Sequence, residues 1–432
     1  MRATGCAVSG LIVTAVLSGL AGCSALTSEG SEPAASTILA GVTAPIAPFE
    51  GSAPFRLEQN SIQVRATLAG EARERTFVLD SGAPMTISSR LADDLSLATA
   101  TEVLLLGPDG GASESARVVR IPTVTVADQD FANVGAVVDW VQAPNPVACL
   151  STDGLLGASL LRAAVWQIDF HTGLLTVTDQ ITGLPGLEYA MRIPFRPGDS
   201  AGSPRIEVPL NPEEAGSLLI DLGFNGSVAL PVALYEQAGG TLAGHTPAQT
   251  GTGAGTVLGD APATTYIGTL PELSIGDLRL PDFPVLTGKD VSDFHVGIAF
   301  LRHFRVTIDW KTNELYLQRR DPETSLYRDY TAFGFTPQLE NGQVHVGALW
   351  RNGPAARAGL RIGDQIISVD GRSLQSVDFA TFCSLLDAVG LFGSHADPID
   401  VTFLRGTVPA TLTVRREALW SRPNGESSAP SR

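Results

Sequence analysis

The middle of this chain repeats itself, and no other feature narrows its possible folds as far. Asp153-Gly154-Leu155-Leu156-Gly157 lies over Asp293-Phe294-His295-Val296-Gly297 at an offset of 140 residues. The register holds without a gap through Leu161-Arg162 over Leu301-Arg302, Ile168-Asp169 over Ile308-Asp309, and Phe170 over Trp310. Upstream, at an offset of 141, Phe77-Val78-Leu79-Asp80-Ser81-Gly82 lies over Leu218-Leu219-Ile220-Asp221-Leu222-Gly223. Self-similarity over this length means two homologous domains, not a solenoid of short units. In each copy an apolar strand ends in Asp-x-Gly, and a later hydrophobic-Gly turn leads into a helical step and a last strand. Between these landmarks, segments of β-branched or alternating character at Val118 to Val126, Ala136 to Val141 and Leu273 to Leu280 read as strands. The expected class is mostly β, with lobes over residues 55–181 and 190–320 joined by a hairpin-like stretch from Pro194 to Ile206.

Two aspartates at matching places point to a particular chemistry. Amide hydrolysis by carboxylates needs two of them around one water: the ionised one takes a proton from the water while the protonated one polarises the carbonyl. Like charges in contact cannot both ionise readily, so the pair titrates as a unit. Each aspartate must sit on a tight turn at a strand end, with glycine two places on so that backbone can come close and donate. Gly82 and Gly223 meet that need.

Asp80-Ser81-Gly82-Ala83, preceded by Phe77-Val78-Leu79 and followed by Thr86-Ile87-Ser88, together with Leu155-Leu156-Gly157, resembles the retropepsin and pepsin family of aspartic peptidases over roughly residues 55–320. The resemblance implies two pepsin-like β-barrel lobes, an aspartic endopeptidase with Asp80 and Asp221 catalytic, and loop support from Ser81, Gly82 and Gly223. In that family the hydroxyl after each aspartate donates across to the other lobe. Ser81 supplies one, whereas Leu222 has none and Phe224 stands where a small residue belongs. This departure leaves two other readings open: a non-catalytic peptide-binding protein on a degenerate peptidase fold, and an enzyme that pairs two first lobes from separate chains. The family's substrate-covering hairpin would have its tip at Gly107-Pro108-Asp109-Gly110-Gly111 or at Gly251-Thr252-Gly253-Ala254-Gly255.

At the N-terminus, Arg2, an apolar run from Ala7 to Leu20 and then Ala21-Gly22-Cys23 read as a signal peptide over residues 1–22. The run is shorter than the ~20 residues that span a bilayer. Leu20-Ala21-Gly22-Cys23 resembles the bacterial lipoprotein box, which implies a lipid on Cys23 anchoring the chain to membrane in the cell envelope. With Ser24 after the cysteine, the same resemblance favours the outer membrane, facing the periplasm. Residues 23–54, rich in Ser, Ala, Thr and Pro, read as a flexible tether. Of the remaining cysteines, Cys6 leaves with the signal, while Cys149 and Cys383 fall in different predicted domains and are expected to be packing residues, not a disulfide. The formal net charge of -16 argues against nucleic acid and against a polybasic grip on anionic lipid. Protein or peptide partners fit better.

Near the C-terminus, Gly353-Pro354-Ala355-Ala356-Arg357-Ala358-Gly359-Leu360 and Ile362-Gly363-Asp364-Gln365-Ile366-Ile367-Ser368-Val369-Asp370-Gly371 closely resemble the PDZ family, over residues 325–417. Ile366, Ile367 and Val369 read as a core strand, and Asp378 as the cap of a helix running to about Ala388. In PDZ domains a peptide C-terminus adds as a strand, its carboxylate held by backbone N–H groups of a Gly-containing loop. The resemblance assigns that loop to Phe333, Gly334 and Phe335, with the nearby Pro337 lacking a donor. Residues 418–432 read as a disordered tail. Gly198-Asp199-Ser200-Ala201-Gly202 matches a serine nucleophile elbow, but Pro197 and Pro204 flank it where a strand and a helix are required. The six histidines lack metal-ligand spacing and no Gly-rich phosphate loop precedes a lysine, so no cofactor is implied.

Overall fold

The computed structural model describes residues 32–106, 113–138, 146–150, 153–198, 201–244, 246–251, 263–289, 291–327, 330–387 and 396–422. In strand Arg75–Asp80, Phe77 and Leu79 enter the main core while Val78 packs on the opposite face. Side chains alternate along a strand, so Asp80 shares its face with Val78. This strand lies within an eight-stranded sheet of the first lobe, parallel to Gly154–Gly157 on one side and antiparallel to Ser61–Leu68 on the other. Ser61–Leu68 also pairs with the long strand Ser113–Val126, which curls the sheet toward a barrel. The second lobe repeats the plan, with Ala215–Ile220 parallel to His295–Val296.

A six-stranded sheet joins the lobes, in the order Glu50–Pro54, Leu174–Thr178, Val165–Asp169, Phe304–Asp309, Glu314–Arg319, Met191–Pro194. At its centre Gln167 lies opposite Thr307, and these residues are related by the same 140-residue offset. Equivalent residues meeting face to face mark a local two-fold axis, and Gln167 Nε2 donates to Thr307 Oγ1 across it at 2.9 Å. The two lobes are thus halves of one pseudo-symmetric unit, with the mostly β class expected.

Several expectations are corrected. Residues 32–54 are not wholly a tether: Glu32–Ala40 is a helix that buries Ala35, Ile38 and Leu39 against Val78, Val118, Val137 and Leu155, and Glu50–Pro54 is an edge strand of the joining sheet. Its counterpart is Met191–Pro194, and Ala53-Pro54-Phe55 over Ile193-Pro194-Phe195 carried that signal. Leu273 to Leu280 is a hairpin, the strands Ala263–Ile275 and Leu278–Gly288 being joined through Gly276 and Asp277. The stretch from 418 to 422 is ordered: Glu417–Ala418 pairs with Thr331–Ala332, Leu419 is buried, and Trp420 Nε1 donates to Thr269 Oγ1 at 2.8 Å.

Cys149 and Cys383 form a disulfide across 234 residues of sequence. The two cysteines do belong to different domains, but the C-terminal domain folds back onto both lobes and brings them together. Ala248–Gly251 of the second lobe pairs with Gln343–Trp350, so lobe and C-terminal domain share a sheet. The disulfide then ties the helix Phe379–Asp387 to the first lobe. In that domain Ile366 and Val369 are core residues, Ile367 is half-buried, and Asp378 Oδ1 accepts from Thr381 N at 2.7 Å as the helix cap.

Candidate active site

Each aspartate is delivered by the repeated pairing. Asp80 is opposite Gly157 in the first lobe, and Asp221 N donates to Val296 O at 2.9 Å in the second. The glycines show how close the carboxyls come. A Cβ on Gly82 would lie 2.8 Å from Asp221 Oδ1, and one on Gly223 would run into the Asp80 carboxyl. Each glycine therefore makes room for the opposite lobe's aspartate. Gly82 N donates to Asp80 Oδ1 at 2.7 Å, while Gly223 N and Phe224 N donate to Asp221 Oδ1 at 2.9 and 3.1 Å.

The pair is almost sealed, with Asp80 1% and Asp221 2% exposed. Burial first, and the neighbouring Asp221 charge second, push the Asp80 carboxyl well above the ordinary carboxylate range, against the opposing pull of the Gly82 and Ala83 N–H groups.

Ser81 reaches across to the other lobe's aspartate loop. Its Oγ donates to Ile220 O at 2.5 Å and accepts from Leu222 N at 3.0 Å, pinning the loop on both sides of Asp221. Leu222 returns no such bond and is instead buried in the core common to both lobes.

One residue escaped the sequence reading. His295 is fully buried, with Nδ1 3.2 Å from Asp221 Oδ2 and its ring stacked on Phe224 at 4.1 Å and 9°. Its signal was in the alignment, where it stands over Leu155 in an otherwise hydrophobic element.

In the C-terminal domain the Phe333 and Phe335 side chains are buried in its core, so only the backbone of this loop is left to meet a ligand. Gly334 takes φ +85, a left-handed conformation that favours glycine. Phe335–Glu340 pairs only with Gln343–Trp350 among the described residues, leaving its other edge for an added strand, and the register shifts between Thr336 and Pro337. Cys23, Ser200 and the glycine-rich tips at 107–111 and 252–255 lie outside the described residues.

Residues 64–160 match the family model described as aspartyl protease, and residues 346–389 match that described as PDZ domain. The first match contains Asp80 and Gly157 but stops before Asp221. No curated protein matches the chain. Among solved structures, the aspartic proteinase from Irpex lacteus is similar at a TM-score of 0.39 and 12% identity, covering 65% of this chain and 100% of that one. The overlap is too loose to bear on the site. The fold is a mostly β aspartyl protease domain followed by a PDZ domain, which fits a protease-type or peptide-binding role.

Proposed function

We propose that this chain is a single-chain aspartic endopeptidase of the bacterial cell envelope. The observation that carries the reading is the mutual clearance at Gly82 and Gly223, which lets one carboxylate from each lobe meet in a buried pair. In the proposed reaction one carboxylate takes a proton from water as the water oxygen bonds to the amide carbon, and the other gives its proton to the carbonyl oxygen. When the C–N bond breaks, the amine leaves with the proton taken from water. The hydroxyl that received the second proton returns it as the new acid forms, so the pair ends as it began.

The PDZ domain would recruit protein substrates or partners by strand addition to Phe335–Glu340, with the backbone around Phe333, Gly334 and Phe335 facing the peptide carboxylate. The lipoprotein-like Leu20-Ala21-Gly22-Cys23 supports an anchor through Cys23, and the Cys149–Cys383 disulfide suits an oxidising compartment such as the periplasm. Digestion of a peptide library across acid to neutral pH by the form lacking residues 1–22 tests the reading. Cleavage should occur and be abolished by Asp80→Asn. Peptide binding with no cleavage at any pH would instead make this a binding protein.

A further inference from the structure

His295 stands where the first copy of the repeat has Leu155, and its surroundings give it a definite task. The ring is fully buried, its Nδ1 faces Asp221 Oδ2 at 3.2 Å, and its Nε2 has no partner among the described residues. An orphaned buried N–H is rarer and more costly than an orphaned lone pair. The cheaper arrangement therefore puts the proton on Nδ1 and leaves Nε2 bare. A donor at Nδ1 requires an acceptor at Oδ2, and Oδ1 already accepts from the Gly223 and Phe224 N–H groups, so with donors on both oxygens the ionised form of Asp221 is the favoured one.

We infer that His295 is a positioning residue of the dyad: its Nδ1–H holds Asp221 as the carboxylate that deprotonates water, leaving Asp80 to carry the shared proton. This rests on the peptidase reading above. It assigns the two roles that the pseudo-symmetry leaves equivalent. With the N–H groups of Gly223 and Phe224, Asp221 has three donors. Phe224 keeps the ring in place by stacking, so the oversized residue after Gly223 and the polar residue over Leu155 form a matched pair. The neighbouring strand Val228–Pro231 brings no titratable group, and Asp293, two residues back along the chain, is engaged by Arg205. Among the described residues, the charged group in contact with His295 is Asp221.

The test compares His295→Leu, which copies Leu155, with His295→Asn, whose amide nitrogen reaches the place of Nδ1. Peptide-hydrolysis kcat/KM is followed against pH, with thermal melting to establish folding. A donor favours ionised Asp221 and keeps the dyad active to lower pH. His295→Leu should therefore move the acid limb up by about one to two pH units, and His295→Asn should restore it. A folded His295→Leu with an unmoved limb, or a His295→Asn no closer to wild type than His295→Leu, overturns the assignment. Should His295→Leu fail to fold, 15N-histidine spectra of the wild type decide: the proton on Nδ1 supports the role, and on Nε2 refutes it. A wild type that cleaves nothing defeats the peptidase reading itself, and the catalytic role of His295 with it, by a different signature from an active enzyme with an unmoved profile.

Discussion

In the first lobe the residue after the aspartate is Ser81, which reaches across to Ile220 and Leu222, and the strand beside it offers only Leu155. In the second lobe the residue after the aspartate is Leu222, buried in the shared core, and the strand beside it offers His295 to the carboxylate. The backbone plan is the same, yet the polar contacts have changed places. One lobe supplies the grip between loops and the other supplies a donor to the charge. The outer contacts differ as well. The helix Glu32–Ala40 joins the first lobe's cluster of Val78, Val118, Val137 and Leu155, whereas Phe224, Ala229, Ile267 and Leu286 of the second pack against Tyr330, Trp350 and Leu419 from the C-terminal region. A pair of duplicated lobes has thus become two specialised ones.

The largest effect expected from disturbing this arrangement is at the point where the lobes touch. Gly223→Ala places a methyl against the Asp80 carboxyl, and peptide hydrolysis should fall about a hundredfold or more, since a displacement of about 1 Å at a reacting group costs that much. Equal activity in this variant would mean that the carboxyls do not work in contact. The contrast between the loop residues comes next. Leu222→Ala should cost about 2–5 kcal/mol in denaturant unfolding, more than the roughly 1–3 kcal/mol for Ser81→Ala. The reverse ranking would show that the polar grip, not the apolar packing, holds the lobes together.

Protonation gives a third handle. Because the Asp80 carboxyl is raised in the folded protein, mainly by burial and then by the Asp221 charge, its contribution to stability is complete below the unfolded value of 3.8 and is lost as pH rises through the folded value. Asp80→Asn cannot ionise. Its stability relative to wild type should grow with pH over that window and then level off, as read from melting temperatures against pH. A smaller effect is expected from removing the N-terminus through residue 41. This removes the apolar contacts of Ala35, Ile38 and Leu39 with the first lobe, and the melting temperature should fall relative to the form lacking only residues 1–22; no fall would mean that the helix adds nothing to the stability of the lobe.

The repeat made the paired lobes legible because the Asp turn and the hydrophobic-Gly element are local patterns that the offset preserves. The joining sheet was harder to see. Its edge strand Glu50–Pro54 is short and carries no large apolar side chain, and the two-fold partner Met191–Pro194 explains why it is a strand. The Cys149–Cys383 disulfide was invisible because it depends on the C-terminal domain docking across both lobes, which no local pattern encodes. His295 could have been found as a polar residue in an apolar element. Its meaning, however, depends on a contact with Asp221, 74 residues away, and on the ring of Phe224.

The central claim is that one aspartate from each unequal lobe acts within a single chain. Its most direct test is peptide hydrolysis by Asp221→Asn, assayed over a wide range of enzyme concentration. The account predicts no cleavage at any concentration. Full activity, or activity that returns as concentration rises and two first lobes pair, would contradict it.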